Sequence, residues 1–357
     1  MHKFCSLLCI AGVLAAQDPP KPSSDKPGSE GAEPVIRATF KFVLVPVTVT
    51  DRDGNFVNGL APDEFHLTDN GKPQKITEDV TTHPISMVVA IQANHDIEAI
   101  VPQIKRMSRV FESLVLGNNG ELAVLAFDDR VTTLTDFTSE PAKIDAAFEK
   151  LKPGSDSSNL HDAAMKGIDL LRDRPSTRRR VLVLIAENRD QGSAAKIRKV
   201  LSAGEFASVV VHTVDVSQLL ASLASSAQPN RPSPIPPEAR PLPAGVVGTP
   251  TTDAQMEMGN WVPAFKDIFL AAKGVVVSKP LDVYPKYTGG RKFSFDTQRA
   301  LERDISTLGE ELHSQYFLTY YPSTEDEAGF HQILVTVDRA NLKIRTRDGY
   351  YLAGKVE

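Results

Sequence analysis

The amino-acid sequence predicts an α/β protein: a doubly wound, mostly parallel sheet with an accessory β-sandwich made from the two ends of the chain. Three observations carry this. SMVVAI (86–91), LAVLAF (122–127), VLVLIA (181–186) and SVVVHTV (208–214) are short unbroken apolar runs, the pattern of strands covered on both faces. Helical apolar periods lie between those runs, and strand–helix alternation implies parallel pairing with crossovers. The segments before and after this middle alternate with a period of two instead, as half-buried antiparallel strands do.

Taken in order, MHKFCSLLCIAGVLAAQDPP has one Lys, an apolar stretch, small residues and a Pro-rich break. This is the layout of a secretory signal with cleavage near Ala16–Gln17, too short to span a bilayer as an anchor. Both cysteines, Cys5 and Cys9, fall inside it, and Leu8 before Cys9 disfavours lipidation. The mature chain is then free of cysteine, so its stability rests on a packed core. DPPKPSSDKPGSEGAEP (18–34) has the composition of a disordered leader. In FVLVPVTVT, Val43, Val45, Val47 and Val49 share one face. DRDGN is a tight turn, and EFHLTDNGKPQKI holds a strand pair around Asp69-Asn70-Gly71.

One helical period runs through Ile97, Ile100, Val101, Ile104, Met107, Val110, Phe111 and Leu114. A second starts at Ser139-Glu140-Pro141, with Pro at the first helical position, and continues through Ile144, Phe148 and Leu151. A third uses Leu160, Ala164, Ile168 and Leu171. Eight prolines between Pro229 and Pro250 mark a surface insertion at the sheet's rim. YTGGRKF reads as a glycine turn, and Leu301, Ile305, Leu308 and Leu312 as a last amphipathic helix. QYFLTYYP follows, with Tyr316, Phe317, Tyr320 and Tyr321 as sandwich core. HQILVTVD and NLKIRTR then read as a strand pair turning at Arg339-Ala340-Asn341. The boundaries are 1–16 for the signal and 17–37 for the leader. An N-terminal β segment spans 38–83, and the two parts of the α/β domain span 84–217 and 264–313 around a Pro-rich insertion at 218–263. The C-terminal β segment, 314–357, packs with the N-terminal one.

Charge narrows the function classes. The net charge of −5 comes with no basic tract beyond Arg178, Arg179 and Arg180, which read as a solvated turn before a strand. A nucleic-acid partner needs a sizeable Lys/Arg surface to neutralise phosphates and is not expected. No later segment is apolar enough for a membrane span. His83, His95, His161 and His313 lack companions at zinc spacing, and neither HExxH nor GxSxG occurs. DRDGN departs from a calcium loop, because its glycine comes early and Pro62 stands at the twelfth position.

The chain resembles the acidobacterial VWFA-related family of exported proteins, which carry a von Willebrand factor A-type domain. VPVTVTDRDGNFVNGLAPDEFHLTDNGKPQKI, TGGRKF, SQYFLTYYPS and IRTRDGYYL carry the resemblance, in that order, over nearly the whole mature chain. It implies a Rossmann-like core and a metal ion-dependent adhesion site (MIDAS) at the carboxyl edge of the sheet. Such a site uses Asp-x-Ser-x-Ser, a Thr and a later Asp, which leave one Mg²⁺ position for a partner's carboxylate. The corresponding positions here are Gln92, Asn94 and Asp96, then Ser158, then Glu187.

Two readings of these five residues stay open. In one, Asp96 and Glu187 supply the charge, and Gln92, Asn94 and Ser158 supply neutral oxygens to a weakly held Mg²⁺ or Mn²⁺. In the other, Asp96 and Ser158 cap helices, and Glu187 is one methylene too long for a coordination shell of ~2 Å, so no cofactor is held. The expected function is an exported, non-catalytic interaction module of secreted or periplasmic location. It would bind a protein partner through the loops 92–96, 155–159 and 187–193, with the Pro-rich insertion as a further candidate element. The alternatives are an envelope-associated hydrolase and a passive scaffold.

Overall fold

The computed structural model describes residues 42–79, 83–116, 119–227, 261–271, 277–294, 298–323 and 327–352. The signal, the leader and most of the Pro-rich insertion lie outside the described residues. The insertion's two margins are helical: residues 218–227 belong to one helix and 261–263 open another.

The strands are β1 (Val43–Thr50), β2 (Phe65–Asp69), β3 (Lys72–Gln74), β4 (Ile76–Asp79), β5 (Ile85–Gln92), β6 (Glu121–Phe127), β7 (Val131–Thr138), β8 (Arg179–Ala186), β9 (Val209–Asp215), β10 (Lys292–Ser294), β11 (Tyr316–Tyr320), β12 (Gly329–Val337), β13 (Lys343–Thr346) and β14 (Gly349–Leu352). The helices are α1 (Val101–Arg106), α2 (Ser108–Leu116), α3 (Pro141–Glu149), α4 (Leu160–Arg172), α5 (Ile197–Phe206), α6 (Ser217–Ala227), α7 (Trp261–Leu270), α8 (Pro280–Thr288) and α9 (Gln298–Ser314).

All four apolar runs enter one six-stranded sheet of order β10-β9-β8-β5-β6-β7, parallel except for β7. The runs are unbroken because each face of the sheet has its own helical cover. Met87, Val89 and Ile91 of β5 join one apolar cluster with α1, α2, α3 and α9. Val88 and Ala90 join the other, with α4, α5, α7 and α8. The antiparallel edge strand β7, VTTLTDFT, has no alternation of buried and exposed positions, so no periodicity announced it. The long helix expected from Ile97 to Leu114 is broken. A 3-10 turn spans His95–Ile100, α1 opens with Pro102 at its second position, and a kink at Met107 separates α1 from α2.

Arg178, Arg179 and Arg180 do not form a solvated turn. Arg179 is 5% exposed and donates to the carbonyls of His83 and Leu312, with its guanidinium 5.0 Å from the Phe317 ring centroid. Arg178 donates to Ile85 O and Asn119 O, and Arg180 to Ala207 O and Arg174 O. The amino ends of the strands and the carboxyl ends of α4, α5 and α9 meet here with carbonyls to be satisfied, and the five N–H groups of a guanidinium satisfy several at once.

The chain ends form two four-stranded antiparallel sheets, β13-β1-β11-β4 and β14-β12-β2-β3, whose inward residues share one apolar cluster. Asn70 and Gly71, both at positive φ, close the β2–β3 hairpin, the backbone that a two-residue turn of this hand needs. The strand pair expected at Arg339-Ala340-Asn341 does not form. β12 pairs with β2 and β14, whereas β13 pairs with β1 in the other sheet. Asn341, at φ 67°, helps turn the chain from one sheet to the other. Each strand finds its long partner in the N-terminal segment, a choice that alternation alone cannot express. Tyr316 and Tyr320 join the sandwich core as expected, Phe317 is buried outside that cluster against the Arg179 guanidinium, and Tyr321, just past the end of β11, is 59% exposed.

The glycine turn after α8 makes a steric prediction. Gly289 ends the helix in the left-handed region at φ 82°. A Cβ on Gly290 would stand 2.0 Å from the carbonyl oxygen of Val211 in β9. Backbone on backbone cannot give way as a side-chain end can. Gly290→Ala is therefore expected to cost about 2–3 kcal/mol, read as a lower urea midpoint at unchanged slope; an unchanged midpoint would refute this packing.

Candidate functional site

β5 and β8 are adjacent and parallel, with Ile91 opposite Ile185. Their carboxyl ends therefore deliver Gln92 and Glu187 side by side, at the edge where open α/β sheets carry ligands. The backbone N–H of Glu187 donates to Gln92 Oε1 at 2.8 Å. That bond decides which end of the amide faces which way. Gln92 Nε2 then donates to Asn94 Oδ1 (2.7 Å) and to Glu187 Oε2 (2.9 Å). With its oxygen taken, Asn94 turns its Nδ2 to Asp96 Oδ2 at 2.9 Å. The ring is closed by Arg189, whose Nη2 lies 2.5 Å from Asp96 Oδ2 and 3.1 Å from Glu187 Oε2. Gln92 and Asn94 are buried, and the Asp96 and Arg189 side chains are each 44% exposed.

Four of the five residues anticipated for the site thus meet in one hydrogen-bonded ring. Ser158 is held differently. Its carbonyl accepts from Gln191 N at 2.8 Å, while its buried Oγ has no partner among the described residues. Neither capping role anticipated for these positions is used. Asn94, not Asp96, stands at the start of the 3-10 turn and makes no side-chain cap. The first turn of α4 is capped from a distance: Asp190 Oδ1 and Ser193 Oγ accept from His161 N, both at 3.0 Å. Asp162 returns the contact, accepting from Ala194 N and Ala195 N.

The remaining loops are also tied down. Gly154 N donates to Ala93 O (2.7 Å), His95 N to Ser155 O (3.1 Å) and Ser155 N to Asp128 Oδ2 (2.9 Å). One strand further along, Lys292 bridges Asp215 and Asp282. Arg189, Asp190 and Ser193 lie in the anticipated loop 187–193, but none was singled out as a site residue. The signal that could have found Arg189 is its position two residues after Glu187, the one nearby cation for two carboxylates.

Residues 94–189 match the von Willebrand factor type A domain. The matched span of the A-type domain contains Asn94, Asp96, Ser158, Glu187 and Arg189, and starts two residues after Gln92. No curated protein is similar enough in sequence to match this chain.

Among solved structures, proximal thread matrix protein 1 of the mussel byssus, with a zinc-occupied MIDAS motif, is similar at 14% identity and a TM-score of 0.41. That alignment covers 68% of this chain and 50% of that one, so the chain spans about half the length of the byssus protein. BatB from Bacteroides thetaiotaomicron is similar at 14% identity and a TM-score of 0.37, over 63% of this chain and 99% of BatB. An aerotolerance-related membrane protein from Bacteroides fragilis gives 13% identity and a TM-score of 0.36, over 64% and 99%.

The domain family that residues 94–189 match suggests a metal, and the donor set here can be tested against it. A divalent ion of this class needs several oxygens with free lone pairs converging on one point. Here Gln92 Oε1, Asn94 Oδ1, Asp96 Oδ2 and Glu187 Oε2 all accept N–H groups already, two of them from Arg189. Among the described residues no three His, Cys, Asp or Glu side chains are grouped to hold a metal. As folded, the residues do not fit the ion.

The buried histidines are engaged structurally. His161 Nδ1 lies 2.6 Å from Tyr284 Oη, and His331 contacts Asp69 and the Glu327 carbonyl. His212 accepts from Arg291 N, and burial brings its pKa down to about 4. A cavity of about 1150 Å³ lies in the seam between β1, β13 and α9, lined by Thr48, Phe56, Arg291, Glu311 and Arg345, and shares no residue with the ring. No helix among the described residues is long and apolar enough to cross a membrane.

Proposed function

We propose that this chain is an exported, non-catalytic interaction module of the VWFA-related type, which grips a protein partner with the carboxyl rim of its sheet. The ring joining Gln92, Asn94, Asp96, Glu187 and Arg189 carries the reading. It consumes the polar atoms of a MIDAS-like site in holding loops to one another, and so presents a preset surface. In this reading the MIDAS is degenerate and binding needs no Mg²⁺ or Mn²⁺. Preorganised loops lower the ordering cost of association.

The partner-facing side chains would be exposed ones near the ring, among them Glu98, Asp129 and Asp156. Segments 38–83 and 314–357 form the β-sandwich that braces the A-type domain, 84–217 and 264–313, in keeping with their shared apolar cluster. A signal at 1–16 would direct export to the periplasm or beyond.

The test is capture from the envelope fraction of the source cells, with the mature chain as bait. A charge-reversed rim (Asp129→Lys with Asp156→Lys) is expected to lose the proteins that the native chain retains, in EDTA as in Mg²⁺. A control reversal on the far sheet, Asp338→Lys, is expected to keep them. Retention by the rim variant would sink the proposal, as would capture that depends on Mg²⁺.

A further inference from the structure

We propose that Arg189 is the rim's built-in counter-ion. Its guanidinium does the bridging that a divalent ion does in a metal-dependent adhesion site, and only its removal opens the ring to a metal. The inference rests on the reading that the Gln92–Glu187 ring stands where that site would be.

Three observations converge on it. First, a single atom, Arg189 Nη2, contacts carboxylate oxygens from two different loops, Asp96 at 2.5 Å and Glu187 at 3.1 Å. Bridging of this kind is what a bound cation supplies, and a guanidinium supplies it with fixed direction. Second, the amides are set for a site without a metal. The Glu187 N–H fixes Gln92 Oε1, so Gln92 Nε2 and then Asn94 Nδ2 point as donors at the oxygens a metal would need. Third, the next strand end repeats the device, with Lys292 between Asp215 and Asp282. At both strand ends a pair of carboxylates is bridged by a cation of the chain itself.

The consequence is specific. Without Arg189, Asp96 and Glu187 are two carboxylates with no cation between them. Asn94 Nδ2 and Gln92 Nε2 still hold Asp96 Oδ2 and Glu187 Oε2, so Asp96 Oδ1 and Glu187 Oε1 are the carboxylate oxygens left for an ion. Ser158 Oγ is buried and without a partner among the described residues, and it is the neutral oxygen that the resemblance assigns to such a site. Hard oxygens around uncompensated negative charge are the donor set for Mg²⁺ or Mn²⁺. Among the described residues Arg189 Nε and Nη1 have no partner, and the side chain is 44% exposed. An ion can therefore enter where the guanidinium was.

The experiment uses the mature chain and Mn²⁺ alone, read by thermal unfolding and titration calorimetry. The native chain is expected to unfold at the same temperature in EDTA and in millimolar Mn²⁺. Arg189→Ala is expected to gain a saturable one-site heat and a melting temperature that climbs with Mn²⁺. Both gains should vanish in the Arg189→Ala, Asp96→Ala double variant. Arg189→Gln, which removes the charge but keeps a shorter polar side chain, provides the same readout should the alanine variant fail to fold.

Mn²⁺ stabilisation of the native chain that Asp96→Ala abolishes would overturn the proposal. So would a folded Arg189→Ala or Arg189→Gln that takes up no Mn²⁺. No partner enters this assay, so its failure and the failure of the rim as a binding surface are separate results.

Discussion

Asp69→Ala is expected to lose about 3–5 kcal/mol of folding free energy, the scale for stripping one partner from a buried charged pair. Asp69 ends β2 and is fully buried. Its Oδ1 takes His331 Nδ1 at 2.9 Å, and its Oδ2 takes the hydroxyls of Tyr320 (2.9 Å) and Tyr350 (2.8 Å). His331 Nε2 reaches the Glu327 carbonyl at 2.7 Å. Both ring nitrogens thus face acceptors, which only the doubly protonated imidazolium can satisfy. The variant would leave that cation and two hydroxyls buried without their acceptor. Asp69→Asn keeps the volume and should fall in between.

The pH dependence follows. Burial pushes the Asp69 carboxyl up, but hydrogen bonds from His331, Tyr350 and Tyr320 outweigh it and hold it below the ordinary 3.8. Its contribution is present above that value and lost as pH falls through the folded pKa. Burial pushes His331 down, but the bonds to Asp69 and the Glu327 carbonyl outweigh it and raise it above 6.5. Its contribution is complete below 6.5 and lost as pH rises through the folded pKa. The cluster should therefore stabilise most from about pH 4 to 6.5, a maximum that Asp69→Ala should flatten. Urea midpoints across pH 3 to 9 check this, and a variant within about 1 kcal/mol of the native chain at pH 5 would refute it.

Glu205→Leu is expected to cost a similar ~3–5 kcal/mol, and adding Arg347→Met should restore much of the loss. Arg347 lies just before β14, with its side chain 7% exposed, and contacts Glu205 of α5 at 2.5 Å. Tyr287 of α8 donates to the other carboxylate oxygen, and Tyr351 N donates to Tyr287 Oη at 3.2 Å. This pair staples the C-terminal β segment onto the helices of the central sheet, beside the stack of Phe269 on Tyr351 at 4.6 Å. Burial works against the Arg347 cation, and the Glu205 carboxylate more than compensates. Removing only the carboxylate keeps the burial and loses the compensation. Replacing both partners by apolar side chains removes the penalty as well. A double-mutant cycle in urea tests this, and equal losses in the single and double variants would refute it.

Local pattern made much of the core readable. An apolar run such as VLVLIA can satisfy itself only between two covered faces, and parallel strands end together. The resemblance to the A-type family assigned Gln92 and Glu187 to one site, and the shared end of two parallel strands brings them 2.9 Å apart. Asp69 was legible only as part of an Asp-Asn-Gly turn, because nothing near it in sequence hints at His331, 262 positions away. The partners of β12 and β13 escaped for the same reason: a period of two says which face is buried, not which strand lies alongside.

Short-range periodicity and the geometry of crossovers were enough to give the alternation of strand and helix, the sheet it builds and the edge where its loops gather. What sits among those loops came from long-range contacts. An arginine in a polar stretch such as ENRD can as well be a solvated side chain. Whether it becomes the cation between two carboxylates depends on where a flexible chain of methylenes is led by backbone contacts many residues away.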